Sequence, residues 1–185
     1  ELTIGARLGE GTSSIVHKGQ YHGHQVALKV YKAQLSSDGR NLDEVRASCA
    51  VDHPHVLRWL GYLEEGSGGE EARATTGSTG GGSWRLIGVL EWAAGFGSLG
   101  KPPSMESITR DTYPPNTQFS GSEVREIAHG IASALEHLHS RQIAHGDLYA
   151  HNILWRSGKN GGGAVAKLSD FGAAFYYGGV GTSAD

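Results

Sequence analysis

Three polar residues in the second half of this 185-residue chain could do chemistry together. Asp147 and Asn152 lie five apart in His145-Gly146-Asp147-Leu148-Tyr149-Ala150-His151-Asn152, and Asp170 opens Asp170-Phe171-Gly172 directly after Ser169. Phosphoryl transfer needs a carboxylate to orient and deprotonate a hydroxyl, and oxygen ligands to hold Mg²⁺ against the phosphates. Asp147 offers the first group; Asn152 and Asp170 offer the second. An Asp-Phe-Gly or a His-Gly-Asp alone carries little. Their combination in this order carries much more.

Two features of the first half fit the same chemistry. In Val26-Ala27-Leu28-Lys29-Val30, strand alternation puts Val26, Leu28 and Val30 on one face and Ala27 and Lys29 on the other. A small apolar residue beside a cation suits a nucleotide, with Ala27 over the base and Lys29 toward the phosphates. A lysine standing alone on a strand would instead read as solvated. Upstream, Leu8-Gly9-Glu10-Gly11-Thr12-Ser13-Ser14-Ile15-Val16 has glycines that let backbone N–H groups approach phosphate oxygens. A dinucleotide fold would need a helix straight after those glycines, whereas a β-rich hairpin follows here. Glu44, fifteen residues beyond Lys29, could fix the lysine, or could serve only to cap its own helix.

These groups need elements to position them. The pattern before residue 92 is mostly strand: Ile15 to Tyr21 and Gln25 to Tyr31 flank a His22-Gly23-His24 turn, and Leu57 to Leu63 and Trp84 to Trp92 follow. Asn41 to Ala50 reads as a short helix, with Leu42, Val45 and Cys49 on a buried face. The strongest helix begins at Ser120 and Glu123, a capping-box pair, and carries the apolar stripe Val124, Ile127, Ile131, Leu135, Leu138. Short extended pieces come after it, at Ile143-Ala144, Ile153 to Trp155 and Ala164 to Leu168. Strands first, one strong helix, then small hairpins: the order is that of an α+β fold.

Composition narrows the classes. The 16 Lys plus Arg against 19 Asp plus Glu give a net charge of −3, so no single-sign field is available to hold nucleic acid or an acidic membrane. One cysteine excludes a disulfide framework or a Cys-rich zinc site and suits a reducing compartment. No apolar run approaches the roughly 20 residues of a membrane span. Glycine is the outlier at 29 residues, many of them in a polar insertion at about 65–83, where nothing is available to bury. Further polar stretches run from Gly95 to Thr117 and from Ser157 to Gly163. Three histidine pairs of the type His-x-His (His22/His24, His53/His55, His137/His139) read as structural or solvated rather than as metal ligands.

Together these motifs resemble a eukaryotic-type protein kinase domain. The resemblance implies a two-lobed kinase-like fold, with a β-rich N-lobe over 1–92 and part of a helical C-lobe over 93–185. By resemblance, Gly9, Glu10, Gly11, Ser14 and Val16 belong to the glycine-rich loop, Lys29 is the phosphate-binding lysine and Glu44 its helical partner. Leu90 is similar to the gatekeeper, the backbones of Glu91 and Ala93 to the adenine-binding hinge, and Leu154 to the apolar floor under the base. Asp147 is similar to the catalytic base, and Asn152 and Asp170 to the metal ligands. The implied cofactors are ATP and Mg²⁺, and the implied acceptor is a protein hydroxyl, Ser/Thr before Tyr. The setting that follows is cytoplasmic or otherwise intracellular, tethered or free, with no nucleic-acid partner and no membrane insertion by this segment.

Several positions depart from the family pattern. Gly146 stands where the family usually has Arg, which puts control by activation-loop phosphorylation in question. Tyr149 and His151 stand where Ser/Thr kinases carry Lys and tyrosine kinases carry Arg. No Ala-Pro-Glu segment follows Asp-Phe-Gly before Asp185, so the sequence reads as a fragment ending in the activation loop and inactive by itself. A scaffold without turnover and a small-molecule phosphotransferase of the same superfamily are the competing expectations.

Overall fold

The computed structural model describes residues 1–11, 13–32, 35–36, 39–40, 45, 48–66, 84–105, 107, 111–158 and 163–177. Expectations for Glu44, for most of the 65–83 insertion and for the tail beyond Tyr177 lie outside the described residues. The chain forms two compact units, Glu1–Val45 with Trp59–Trp92, and Arg46–Arg58 with Ala93–Asp185.

The first unit is built on strands β1 (Leu2–Glu10), β2 (Ser14–Tyr21), β3 (His24–Tyr31), β4 (Leu35–Ser36), β5 (Gly39–Arg40), β6 (Trp59–Gly66) and β7 (Trp84–Glu91). Five of them form an antiparallel sheet in the order β1-β2-β3-β7-β6, and β4 and β5 pair separately. The β2–β3 turn is one residue shorter than the expected His22-Gly23-His24, because His24 pairs with Tyr21. His22 and Gly23 both have positive φ, 48° and 81°, the dihedral signature of the turns that match strand twist. Alternation on β3 holds: Val26 and Leu28 join Ile87 and Val89 in the core of this sheet, while Ala27 and Lys29 face the other way. Strand β6 starts at Trp59 rather than Leu57, since the Leu57 N–H is already donated to the Leu168 carbonyl.

In the second unit, α1 (Gly121–His139) is the long helix. Ser120 and Glu123 form the expected capping box, each side chain accepting from the other's backbone N–H. Ile127, Ile131 and Leu138 are buried and Leu135 packs against them, but Val124 is 53% exposed, one turn too early on the helix to reach the core. Gly130 and Ala134 complete the buried face instead. Around α1 lie β8 (Gly97–Ser98), β9 (Ile143–Ala144), β10 (Ile153–Arg156), β11 (Val165–Leu168) and β12 (Phe175–Tyr176). β10 pairs with both β11 and β8, and β9 pairs with β12. Phe171, Leu168, Ile143 and Val56 are almost fully buried in the core beneath the helix. Val45, Ser48 and Cys49 are helical, but Cys49 is exposed, so the expected burial of its thiol does not hold. Partial desolvation still pushes that thiol's pKa up.

Candidate active site

The second unit gathers the carboxylates and the amide. A short 3₁₀ turn, Ala150–Asn152, follows Tyr149, and the Asn152 backbone N–H closes it on the Tyr149 carbonyl at 2.9 Å. This turn carries Asn152 back toward Asp147. The Asn152 Nδ2 donates to both the Asp147 carbonyl and Asp147 Oδ2, each at 2.9 Å. Asn152 is buried, so its amide is held in one orientation, and Oδ1 is the atom it would offer a cation.

Ser169 ties the third group to the first two. Its backbone N–H and its Oγ both donate to the Asn152 carbonyl, at 2.9 Å each. Asp170 follows immediately, exposed and at a φ of +59°, a left-handed conformation uncommon for a residue with a side chain. Strain of this kind collects at functional sites. Phe171 turns back into the core, and its ring meets the His145 ring edge-on at 5.1 Å between centroids.

His145 props the same loop from below. Its Nε2 donates to the Ser169 carbonyl at 3.1 Å, and its Nδ1 accepts from the Asp147 backbone N–H at 3.4 Å. One neutral tautomer satisfies both. Burial pushes its pKa down, more than the Ser169 carbonyl and the Asp170 and Asp147 charges lift it. Ser169 and His145 were not singled out by sequence reasoning as positioning groups. Their only signal is adjacency to the motifs, because each acts through hydrogen bonds that no spacing rule encodes.

Gly146 has a structural reason to be glycine. Its φ is +77°, and a Cβ there would sit 2.2 Å from the Ala173 carbonyl oxygen. The backbone of the Asp-Phe-Gly turn occupies the space into which an arginine would start. Nearby, the Tyr149 and His151 rings stack at 5.9 Å with 14° between planes, and His151 Nε2 lies 4.0 Å from Asp147 Oδ2. Leu154 lies on β10 opposite Lys167 of β11 and Ser98 of β8.

The first unit holds the remaining candidates except Ala93. Lys29 is only 8% exposed, which overturns the solvated reading open to a lone strand lysine. It lies opposite Val16 on β2 and Gly88 on β7, and its ammonium sits 5.3 Å from the Tyr31 ring centroid. Gly9 pairs with Val16 and Glu10 with Ile15, and the Gly11 N–H donates to the Ser14 carbonyl at 2.9 Å, so the glycines form the tip of the β1–β2 hairpin. Ser14 is buried. Lys32 anchors this tip, pairing with Glu10 and donating to the Gly11 carbonyl at 3.0 Å. The Lys32 bond and then the Arg7 charge hold the Glu10 carboxyl below its usual range. Ala27 lies opposite Leu90, which is buried, and Val26 lies opposite Glu91 at the end of β7. Ala93 belongs to the second unit and accepts from the Phe96 N–H at 3.2 Å.

Among the described residues no three His, Cys, Asp or Glu side chains converge as a metal cluster, and no helix is long and apolar enough to cross a membrane. Asp170 and Asn152 each carry a side-chain oxygen of the hard kind that Mg²⁺ accepts.

Known protein kinases are similar to this chain. A Drosophila simulans serine/threonine-protein kinase is 28% identical over 176 residues, which are 93% of this chain and 20% of that protein. The Xenopus laevis RAF proto-oncogene serine/threonine-protein kinase is 25% identical over 178 residues, 94% of this chain and 22% of that protein. The rat megakaryocyte-associated tyrosine-protein kinase is 29% identical over 173 residues, 94% of this chain and 30% of that protein. The chain thus spans less than a third of the length of these relatives. The protein kinase domain family model matches residues 2–182, nearly the whole sequence. This chain belongs to the protein kinase domain family.

Proposed function

We propose that this chain performs Mg·ATP-dependent phosphoryl transfer to a protein hydroxyl, with serine or threonine preferred over tyrosine. The observation that carries the reading is the hydrogen-bonded line from Asp147 through Asn152 to Ser169, which holds a candidate base beside two candidate oxygen ligands. A base and its neighbours gain most when their geometry is fixed before the substrate arrives.

The roles follow from the chemistry of each group. Asp147 accepts the proton of the acceptor hydroxyl as its oxygen attacks the γ-phosphorus and the bond from that phosphorus to the β,γ-bridging oxygen breaks, releasing ADP. Lys29, buried on the face it shares with Ala27, orients the phosphates, and Glu44 serves as its partner. The backbone N–H groups at the Gly9–Gly11 tip cover the phosphates, with Glu10, Ser14 and Val16 shaping that loop. Ala27, Leu90 and Leu154 are the apolar residues assigned to the base, and the backbones of Glu91 and Ala93 are assigned to its edge. Asp170 and Asn152 would hold Mg²⁺, which when bound neutralises charge on the transferring phosphoryl group.

The second reading is a nucleotide-binding scaffold without turnover. Its support is the stacked Tyr149–His151 pair, which fills the positions from which related kinases project a permanent cation. Incubating the intact protein with γ-labelled ATP, Mg²⁺ and a library of hydroxyl-bearing peptides separates the two. The kinase reading expects Mg²⁺-dependent label on peptide, Ser/Thr ahead of Tyr. Nucleotide binding with no label transferred would favour the scaffold.

A further inference from the structure

The polar stretch from Gly95 to Thr117 reads in the sequence as an interruption, yet its described residues grip the turn that joins Asp147 to Asn152. Ala150, in the middle of that turn, has both backbone groups engaged by this stretch. Its N–H donates to Asp111 Oδ1 at 2.7 Å, and its carbonyl accepts from the Gly100 N–H at 3.1 Å. The contact continues on either side. The Leu99 N–H donates to the Ile153 carbonyl at 2.8 Å, and Ser98 Oγ donates to the His151 carbonyl at 3.1 Å.

Asp111 is delivered to Ala150 by a small closure of its own. The Lys101 N–H donates to the Thr112 carbonyl at 2.7 Å in an antiparallel bridge, which brings the residue before Thr112 against the turn. The approach is close enough to require glycine at position 100, where a Cβ would meet the Ala150 Cβ at 2.7 Å and the Thr112 carbonyl at 3.1 Å. A charged acceptor on a buried backbone N–H is among the stronger single hydrogen bonds a loop can have. Ala150 is itself buried while Asp111 is exposed, so the carboxylate reaches in from the surface to satisfy an enclosed N–H.

We infer that Asp111 is a positioning residue: by accepting the Ala150 N–H, it locks the turn that sets Asp147 against Asn152. It touches neither substrate nor cofactor and acts only through the backbone of the catalytic turn. The catalytic half of this inference rests on the kinase reading above. The brace itself does not.

The test uses the intact protein and three forms of it: parent, Asp111→Ala and Asp111→Asn. Asn keeps an acceptor oxygen at the same reach, so it serves as the conservative rescue. Hydrogen–deuterium exchange read by mass spectrometry at the Ala150 and Asn152 backbone amides should accelerate about tenfold or more in Asp111→Ala and return near the parent in Asp111→Asn. In phosphoryl transfer, Asp111→Ala should lower kcat roughly 10- to 100-fold with KM for ATP unchanged, and Asp111→Asn should recover most of it. Parent-like exchange at Ala150 in Asp111→Ala would overturn the brace. Faster exchange with unchanged kcat would overturn its positioning role. If the parent transfers no phosphoryl group, the kinase reading falls alone, and exchange at the two amides still decides for or against the brace.

Discussion

At the scale of single residues, Gly146 shows how one departure from a family pattern is resolved by local geometry. Its left-handed backbone and the 2.2 Å approach of the Ala173 carbonyl to a would-be Cβ leave no room for any side chain. Gly146→Ala should therefore lose about 2 kcal/mol or more in urea denaturation, the sum of a strained φ and a displaced Asp-Phe-Gly turn. Gly146→Arg, which restores the commoner residue of the family, should be no better. A parent-like denaturation midpoint for either variant would show that the turn has slack. At this scale residue type and order suffice to single out Asp147, Asn152 and Asp170 as candidates, and the structure links the first two by hydrogen bonds. The site was not legible where backbone carbonyls and N–H groups do the work. Ser169 clips Asn152, His145 spans two backbone groups and Asp111 holds Ala150, and none of these bonds leaves a periodic trace in the sequence.

At the scale of elements, the turn at 53–55 meets helix α1 through imidazoles. The His53 ring lies 4.9 Å from His137 and 5.8 Å from His55, and Ser133 Oγ contacts His53 Nε2 at 3.3 Å. His55 Nδ1 donates to the Ala166 carbonyl at 2.9 Å, and Arg141 faces His137 at 3.2 Å. His53, His55 and His137 thus pack against one another, Ser133 and the Ala166 carbonyl. Desolvation, then the charges of His137, His55 and Arg141, push the His53 pKa down, against a smaller lift from Glu136. Desolvation and then Arg141 do the same to His137, against Asp52. Both folded-state pKa values lie below the unfolded ones, so the unfolded chain binds more protons as the pH falls past the ordinary histidine range. The associated stability is present above the unfolded pKa and is lost as the pH falls toward the lowered folded values. Urea denaturation midpoints should drop between pH 7.5 and 5.5, and the drop should shrink in a His53→Asn, His137→Tyr double variant. An equal drop in parent and double variant would remove these imidazoles from the account. The helix itself was readable from its capping box and stripe, because both are local. Val124 was misread because a helical period marks a face without saying where the core begins.

At the scale of the whole molecule, two compact units each bring one half of the proposed chemistry. The first presents Lys29 and the glycine tip from a five-stranded sheet; the second presents Asp147, Asn152 and Asp170 from turns beside one long helix. Fold class was legible because strand alternation, one capped helix and short hairpins agree with one another at every level. The Gly95–Thr117 stretch was not legible, because its packing depends on backbone bonds between segments some forty to fifty residues apart. The most direct test of the central claim is single-turnover phosphoryl transfer by Asp147→Asn, with Mg²⁺-dependent ATP affinity measured in parallel. Removing the base should slow transfer about 10²- to 10⁴-fold while leaving nucleotide affinity close to that of the parent. Transfer at the parent rate in that variant would contradict the assignment of Asp147, and with it the reading of this site.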